Sequence, residues 1–235
     1  MNKKWQIFEP DKNKIEEIKN KYKVNQLLAT ILANRNILKE EDIRLFLNPT
    51  RNDFYNPFLI TDMDIAVNRI IKAIENKENI TIYGDYDVDG VTASALLLDS
   101  LGKMGFKNVD YFLPDRFIDG YGISERAVKI MKGRGTSLIL TVDCGSLNHT
   151  EIGLANSLGM EVIVTDHHNI AEVQPNAVAV VNPRRSENKY PGGSNFAGVG
   201  VAFKLAQALS SKLSGLENGH EKWMLDLVAL GTVCD

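Results

Sequence analysis

Residues 83–92 read YGDYDVDGVT, placing Asp85, Asp87 and Asp89 at alternate positions just before Gly90. Three carboxylates this close repel one another unless a cation sits among them. Two more acidic motifs follow: Asp143 within VDCG, and Asp166-His167-His168 within TDHH. Oxygen ligands joined by histidine suit a hard or borderline ion such as Mn²⁺ or Mg²⁺. The thiolate-rich or multi-histidine set of structural zinc is missing. Two such cations about 3.5–4 Å apart activate a water and stabilise the leaving oxygen of a phosphodiester. A histidine beside them can orient the phosphate or move a proton.

Other readings of the same residues compete. DYDVDG resembles the start of a calcium-binding EF-hand loop, but that loop needs a bidentate Glu at its twelfth position. Counting from Asp85, the twelfth residue is Leu96. An aspartate at a strand end can also cap the next helix, and Asp89 is well placed to do so. Such capping explains one acid and leaves the other two unaccounted for. Asp143 alone is an ordinary strand-end aspartate and gains its weight from the other two motifs. His149 and His220 read as solvated side chains. Cys144 and Cys234 each abut an aspartate and read as small buried filler. Gly198 and Gly200 precede a helix, where they either let a phosphate approach its N-terminus or permit close packing. Arg116, Arg184 and Arg185 are candidate phosphate contacts, each also readable as a solvated arginine.

The elements that would hold these groups follow from periodicity. The 235 residues are 44% hydrophobic, enough for one large domain or a core domain with an appendage. KIEEIKNKYK, NQLLATILANR and KEEDIRLFL carry apolar residues at helical spacing and make residues 1–55 a helical arm. From Asp62 the pattern alternates. DMDIAVNRIIKAIENK is a helix capped by Asp62 or Asp64, NITIYGD a strand, and GVTASALLLDSLGKMG a helix. VDYFLP, SLILTVDCG, MEVIVTDHH and AVAVVNPRR continue the strands, with helices between them and two more at the end. This predicts an α/β fold over residues 56–235, a mostly parallel sheet flanked by helices. Ligands in such sheets bind beyond the carboxyl ends of the strands, where all three acidic motifs fall. Two cysteines are too few for a disulfide scaffold. With no apolar run of membrane-spanning length and no secretory signal, a cytoplasmic location is expected. The 27 basic and 30 acidic side chains leave a net charge of −3 and no overall electrostatic case for nucleic acid.

DYDVDGVT, VDCG, TDHH and the terminal GTVCD together resemble the four motifs of the DHH phosphoesterase superfamily. FLNPT, NPFLITDMDIAVNRI, LPDRFIDGYGIS and FAGVGVAFKLAQAL extend the resemblance to RecJ-type single-stranded-DNA-specific exonucleases. The resemblance implies a 5′→3′ exonuclease using Mn²⁺ or Mg²⁺ in DNA repair and recombination. Its partners would be single-stranded DNA, with single-strand-binding protein and a helicase. It makes Asp87, Asp89, Asp143, His167 and Asp235 metal ligands, with Asp143 bridging two ions. Asp166 would support His167, His168 would meet the scissile phosphate, and Asp85 would stand beside the ligands. Superfamily members acting on oligoribonucleotides, cyclic dinucleotides or pyrophosphate tend to carry a histidine before the first Asp pair, where this chain has Tyr83. A catalytically dead relative would show eroded motifs, and here every metal position is intact. The family continues past the fourth motif into a smaller domain and often a nucleic-acid-binding fold. The chain is therefore expected to be an excised catalytic domain that binds metal weakly and cleaves poorly, with Asp235 disordered.

Overall fold

The computed structural model describes residues 11–192, 195–215 and 220–235, so part of the GGS cluster at 192–194 lies outside it. Two compact units emerge, Met1–Tyr55 and Asn56–Asp235.

In the first unit, α1 (Lys12–Tyr22), α2 (Gln26–Asn34) and α3 (Glu40–Leu47) follow one another closely. Asp11 and Asn25 cap the first two by accepting backbone N–H bonds from Asn13 and Leu28. Ile15, Ile18, Ala29, Leu32 and Ile43 form the unit's small core. These are the apolar positions spaced three and four apart in the sequence.

The second unit is built on five parallel strands: β1 (Ile80–Gly84), β2 (Val109–Phe112), β3 (Leu138–Val142), β4 (Glu161–Thr165) and β5 (Ala179–Val181). Their order is β2-β1-β3-β4-β5. The chain moves from β1 outward to β2, then crosses back past β1 to β3 and continues the other way, so the crevice between β1 and β3 is the topological switch point. Side chains alternate across the sheet. Ile80, Ile82, Leu138, Leu140, Val142, Ile163 and Val181 face one core, together with α4 (Met63–Glu75), α5 (Val88–Lys103) and α8 (Gly198–Ser210). Tyr83, Ile139, Val162, Val164 and Val180 face the other, against α6 (Glu125–Gly133) and α7 (His149–Ser157). Both faces are covered, which is why β1 and β3 are buried along their whole length and read as mostly apolar runs. The last helix, α9 (Leu225–Cys234), follows a 3₁₀ turn over His220–Met224 where the sequence suggested one continuous helix.

Three local expectations change. Asp62 precedes α4 in a left-handed conformation but makes no capping bond. Its carboxylate instead accepts from the Val180 N–H at 3.0 Å and the Arg185 guanidinium at 2.5 Å. Arg185, a candidate phosphate contact in the sequence, is thereby committed to tying α4 to β5. Cys144 is fully buried as expected of filler, but Cys234 is exposed.

Candidate metal centre

Strand register puts Gly84, Val142, Thr165 and Val181 side by side as the last paired rung. One residue further along the four strands stand Asp85, Asp143, Asp166 and Asn182. The sheet's own hydrogen bonds thus set four polar residues level across its carboxyl edge. The ladder even runs one step on, with Asp143 N–H bonding Thr165 O at 3.0 Å and Asp166 N–H bonding Val181 O at 3.1 Å.

Asp85 is buried and its carboxylate accepts the Tyr86 N–H at 2.8 Å. Gly90 lies so close to the Asp85 backbone that a Cβ there would sit 2.5 Å from Asp85 N. Asp87, the most open of the three first-motif acids, caps α5 by accepting from Gly90 N–H at 3.0 Å. The capping that the sequence suggested for Asp89 therefore belongs to Asp87. Asp89 sits within the first turn of α5 and reaches across to α8, accepting from Gly198 N–H at 2.5 Å and Val199 N–H at 2.7 Å. It satisfies two of the donors a helix start leaves open, and the positive end of α8 favours its charge.

Asp143 has φ +63°, a left-handed conformation that costs a residue with a Cβ about 1–2 kcal/mol. The turn is held by the Thr141 hydroxyl, which donates to Cys144 O at 2.8 Å. Both Asp143 oxygens and His167 Nε2 are buried without a hydrogen-bond partner. Asp143 Oδ1 and His167 Nε2 nevertheless lie 3.0 Å apart, and Nε2 is 3.6 Å from Asp89 and 3.9 Å from Asp235. Lone pairs facing one another this closely, unaligned for hydrogen bonding, are the arrangement a shared cation requires. Burial first, then the charges of Asp89 and Asp87, push the Asp143 carboxyl up to about 10. Burial also raises Asp85 and Asp89.

The ligand atoms fall into three sets, each within 4.8 Å: Asp85-Asp87-Asp143, Asp143-His167-His168, and Asp89-His167-Asp235. Asp143 and His167 each belong to two sets; the two oxygens of Asp143 can serve two adjacent ions, whereas His167 Nε2 has one lone pair for one of them. The donor chemistry, mostly carboxylates with imidazole nitrogen beside them, fits Mn²⁺ or Mg²⁺. Asp235 follows α9 with its N–H on Gly231 O at 3.0 Å, placed within this group.

Asp166 does not touch the His167 ring. Its Oδ1 accepts from the N–H groups of His167 and His168 at 2.7 and 3.1 Å and pairs with His168 Nδ1 at 2.9 Å. Its Oδ2 accepts from Ser146 N–H at 2.9 Å. Burial pushes Asp166 up, but the bonds from His168 and Ser146 outweigh it and hold the carboxyl low. An ionised Asp166 only accepts, so His168 keeps a proton on Nδ1, and this bond raises the ring's pKa, favouring an imidazolium whose second proton sits on the outer nitrogen Nε2.

The sequence reading missed two residues. Asn182, fully buried, donates to Ser146 Oγ at 2.8 Å and His168 O at 3.0 Å, and accepts from Arg184 N–H at 2.9 Å. Its signal was its place one residue past an aligned strand. Asn182→Ala removes three hydrogen bonds, one fully buried and two partly buried. We expect it to cost about 2–4 kcal/mol in a thermal melt and to lower kcat about 10–100-fold. Gly231 on α9 is the other: a Cβ there would stand 2.6 Å from Thr92 Oγ1 and 2.9 Å from Asp89 Oδ1.

The candidate phosphate contacts divide. Arg184 is exposed, with Nε donating to His167 O at 2.5 Å. Arg116 lies over the Tyr86 ring, 4.5 Å from its centroid. Gly198 has its N–H occupied by Asp89, and a Cβ there would come within 2.5 Å of Asp143 Oδ1. Gly200 N–H bonds Ala197 O at 3.0 Å, and its missing Cβ makes room for Phe196. Of the two glycine readings, the geometry displays close packing. His149 and His220 lie outside the three ligand sets.

A parallel α/β domain with overlapping carboxylate and histidine sets at its switch point has the donor arrangement of a two-cation site. Residues 79–232 match the DHH family, N-terminal domain, and the chain belongs to that family. It is 42% identical over 232 residues to the single-stranded-DNA-specific exonuclease RecJ of Bacillus subtilis, covering 99% of this chain but 28% of the relative. To RecJ of Escherichia coli it is 40% identical, covering 75% of this chain and 32% of that protein. The chain therefore spans about a third or less of these relatives. RecJ of Thermus thermophilus in complex with Mn²⁺ superposes with TM-score 0.68 at 28% identity, covering 95% of this chain and 30% of that one. A manganese-bound exonuclease RecJ gives 0.65 at 33% identity, covering 74% and 43%.

Proposed function

We propose that residues 56–235 form the catalytic domain of a divalent-metal-dependent exonuclease that hydrolyses single-stranded DNA 5′→3′ to mononucleotides. The observation that carries this reading is the meeting of Asp85, Asp87, Asp89, Asp143, His167 and Asp235 in overlapping ligand sets. The names of the relatives support the substrate. Mn²⁺ or Mg²⁺, when bound, supplies water activation and charge neutralisation at the phosphate.

The residues of the chain do the rest. Asp143 would be the shared ligand, His167 would give its single Nε2 lone pair to one ion, and Asp87, Asp89 and Asp235 would complete the set, with Asp85 beside them. Asp166 fixes the His168 ring so that Nε2 can orient the scissile phosphate or pass a proton to the leaving oxygen. Arg184, pinned through Nε, and Arg116, stacked on Tyr86, offer guanidinium groups to neighbouring phosphates. Gly198 and Gly200 serve the site through packing, as spacers for Asp143 and Phe196. A cytoplasmic role in DNA repair and recombination, beside single-strand-binding protein and a helicase, belongs to the same proposal. Among the described residues, no helix is long and apolar enough to cross a membrane.

The test is Mn²⁺-dependent release of mononucleotides from 5′-labelled single-stranded DNA, with duplex DNA, RNA, cyclic dinucleotides and pyrophosphate as controls. Slow, metal-dependent release from the single strand alone is expected. Preference for oligoribonucleotides or cyclic dinucleotides would instead establish another DHH phosphoesterase activity.

A further inference from the structure

Beyond β2, residues 113–122 form a loop whose shape is fixed from within. The Asp115 carboxylate accepts the N–H groups of Phe117 and Ile118 at 2.8 and 3.2 Å. Asp119 accepts from Asp115 N–H at 2.9 Å and from the Ser124 hydroxyl at 2.8 Å. At the loop's far end the buried Tyr83 hydroxyl donates to Gly122 O at 2.8 Å. On this frame two large apolar side chains stand in water, Phe117 at 94% and Ile118 at 68% exposure.

The residues that bracket this tip reach the metal centre. On one side Arg116 lies over Tyr86, the residue between Asp85 and Asp87. On the other, Tyr121 meets the His168 ring edge-on with centroids 5.5 Å apart. The tip is thus held beside the place where a phosphodiester would be cut, with a cation next to the exposed ring. An anionic strand with unpaired bases matches that pairing of charge and π-surface.

We propose that this tip is a stacking platform for an unpaired nucleobase of the strand cut at the centre, with Phe117 as the stacking face and Arg116 as the adjacent cation. The inference rests on the phosphodiesterase reading above. A base inside a duplex has its faces covered by its neighbours, so the platform favours single strands irrespective of sequence.

Binding of a labelled oligothymidylate is compared with that of an equally long oligonucleotide bearing abasic sites, in Ca²⁺, for wild type and Phe117→Ala. The variant should bind the thymidylate about tenfold more weakly and the abasic strand unchanged, while Phe117→Trp restores the thymidylate. No loss, or an equal loss on both strands, would overturn the platform; the first outcome would leave the tip to a protein contact. Hydrolysis of methyl p-nitrophenyl phosphate, a phosphodiester without a nucleobase, by the wild type in Mn²⁺ is followed in parallel. Absence of that hydrolysis in wild type would count against the phosphodiesterase reading, whereas a base-dependent loss would still locate the platform.

Discussion

Asp143→Asn is expected to abolish Mn²⁺-dependent hydrolysis while raising the melting temperature of the metal-free protein. Asparagine tolerates the left-handed backbone at φ +63°, so the turn survives and only the charge is lost. Losing a shared ligand removes several kcal/mol of transition-state stabilisation, about 10³-fold in rate. Without metal, the wild-type side chain must either stay charged among like charges or take up a proton to fold, and either costs stability. Its removal should contribute about 2 kcal/mol to apo stability. The pH dependence has a definite sign. The carboxyl is raised from 3.8 to about 10, so the fold holds its proton more tightly than the unfolded chain does. That stabilisation is complete at acid pH and is lost as pH rises toward 10. The gap between variant and wild type should therefore widen with pH, and saturating Mn²⁺ should reverse it by binding wild type alone. Wild-type activity in the variant, or a lower apo melting temperature, would remove Asp143 from the centre.

Gly198→Ala should be among the most damaging single-methyl additions to this fold. The new Cβ would lie 2.5 Å from Asp143 Oδ1 and 2.6 Å from Asp143 Cβ, where neither the strand end nor the helix start can yield cheaply. Overpacking of this kind costs about 1–3 kcal/mol. A shift of about 1 Å at a catalytic ligand costs about 100-fold in rate. Gly102→Ala, at an exposed position of α5 with nothing within 4 Å of the added methyl, is the matched control. It should stabilise by about 0.5–1 kcal/mol and leave hydrolysis unchanged. Melting curves and Mn²⁺-dependent rates of the two variants give opposite signs if close approach at Gly198 is what matters.

The parallel sheet was legible because its strands are buried on both faces and so appear as short apolar runs between amphipathic helices. The acidic motifs were legible because each ends such a run. Side-chain partnership was less so. Periodicity cannot say which helix a carboxylate will cap, and Asp89 reaches a helix more than a hundred positions away in the chain. Asp62 likewise gave its cap to long-range partners, Val180 on β5 and Arg185 beyond it. Asn182 was hidden because an amide after a short strand is unexceptional until register aligns it with Asp85, Asp143 and Asp166. The glycines of α8 were ambiguous for the same reason, since only the position of Asp143 reveals what a methyl there would strike.

The level row at the sheet's carboxyl edge has a consequence for how such a protein can vary. Its spacing is kept by strand pairing and owes little to the length of the connecting segments. Insertions between α6 and β3, or between α7 and β4, leave the row in place. Adding one residue inside β3 or β4 turns every later side chain of that strand to the opposite face, and Asp143 or Asp166 leaves its neighbours at a single step. Length variation is therefore tolerable at the amino ends of the strands and intolerable within them, which makes the sheet a ruler against which the acids are set.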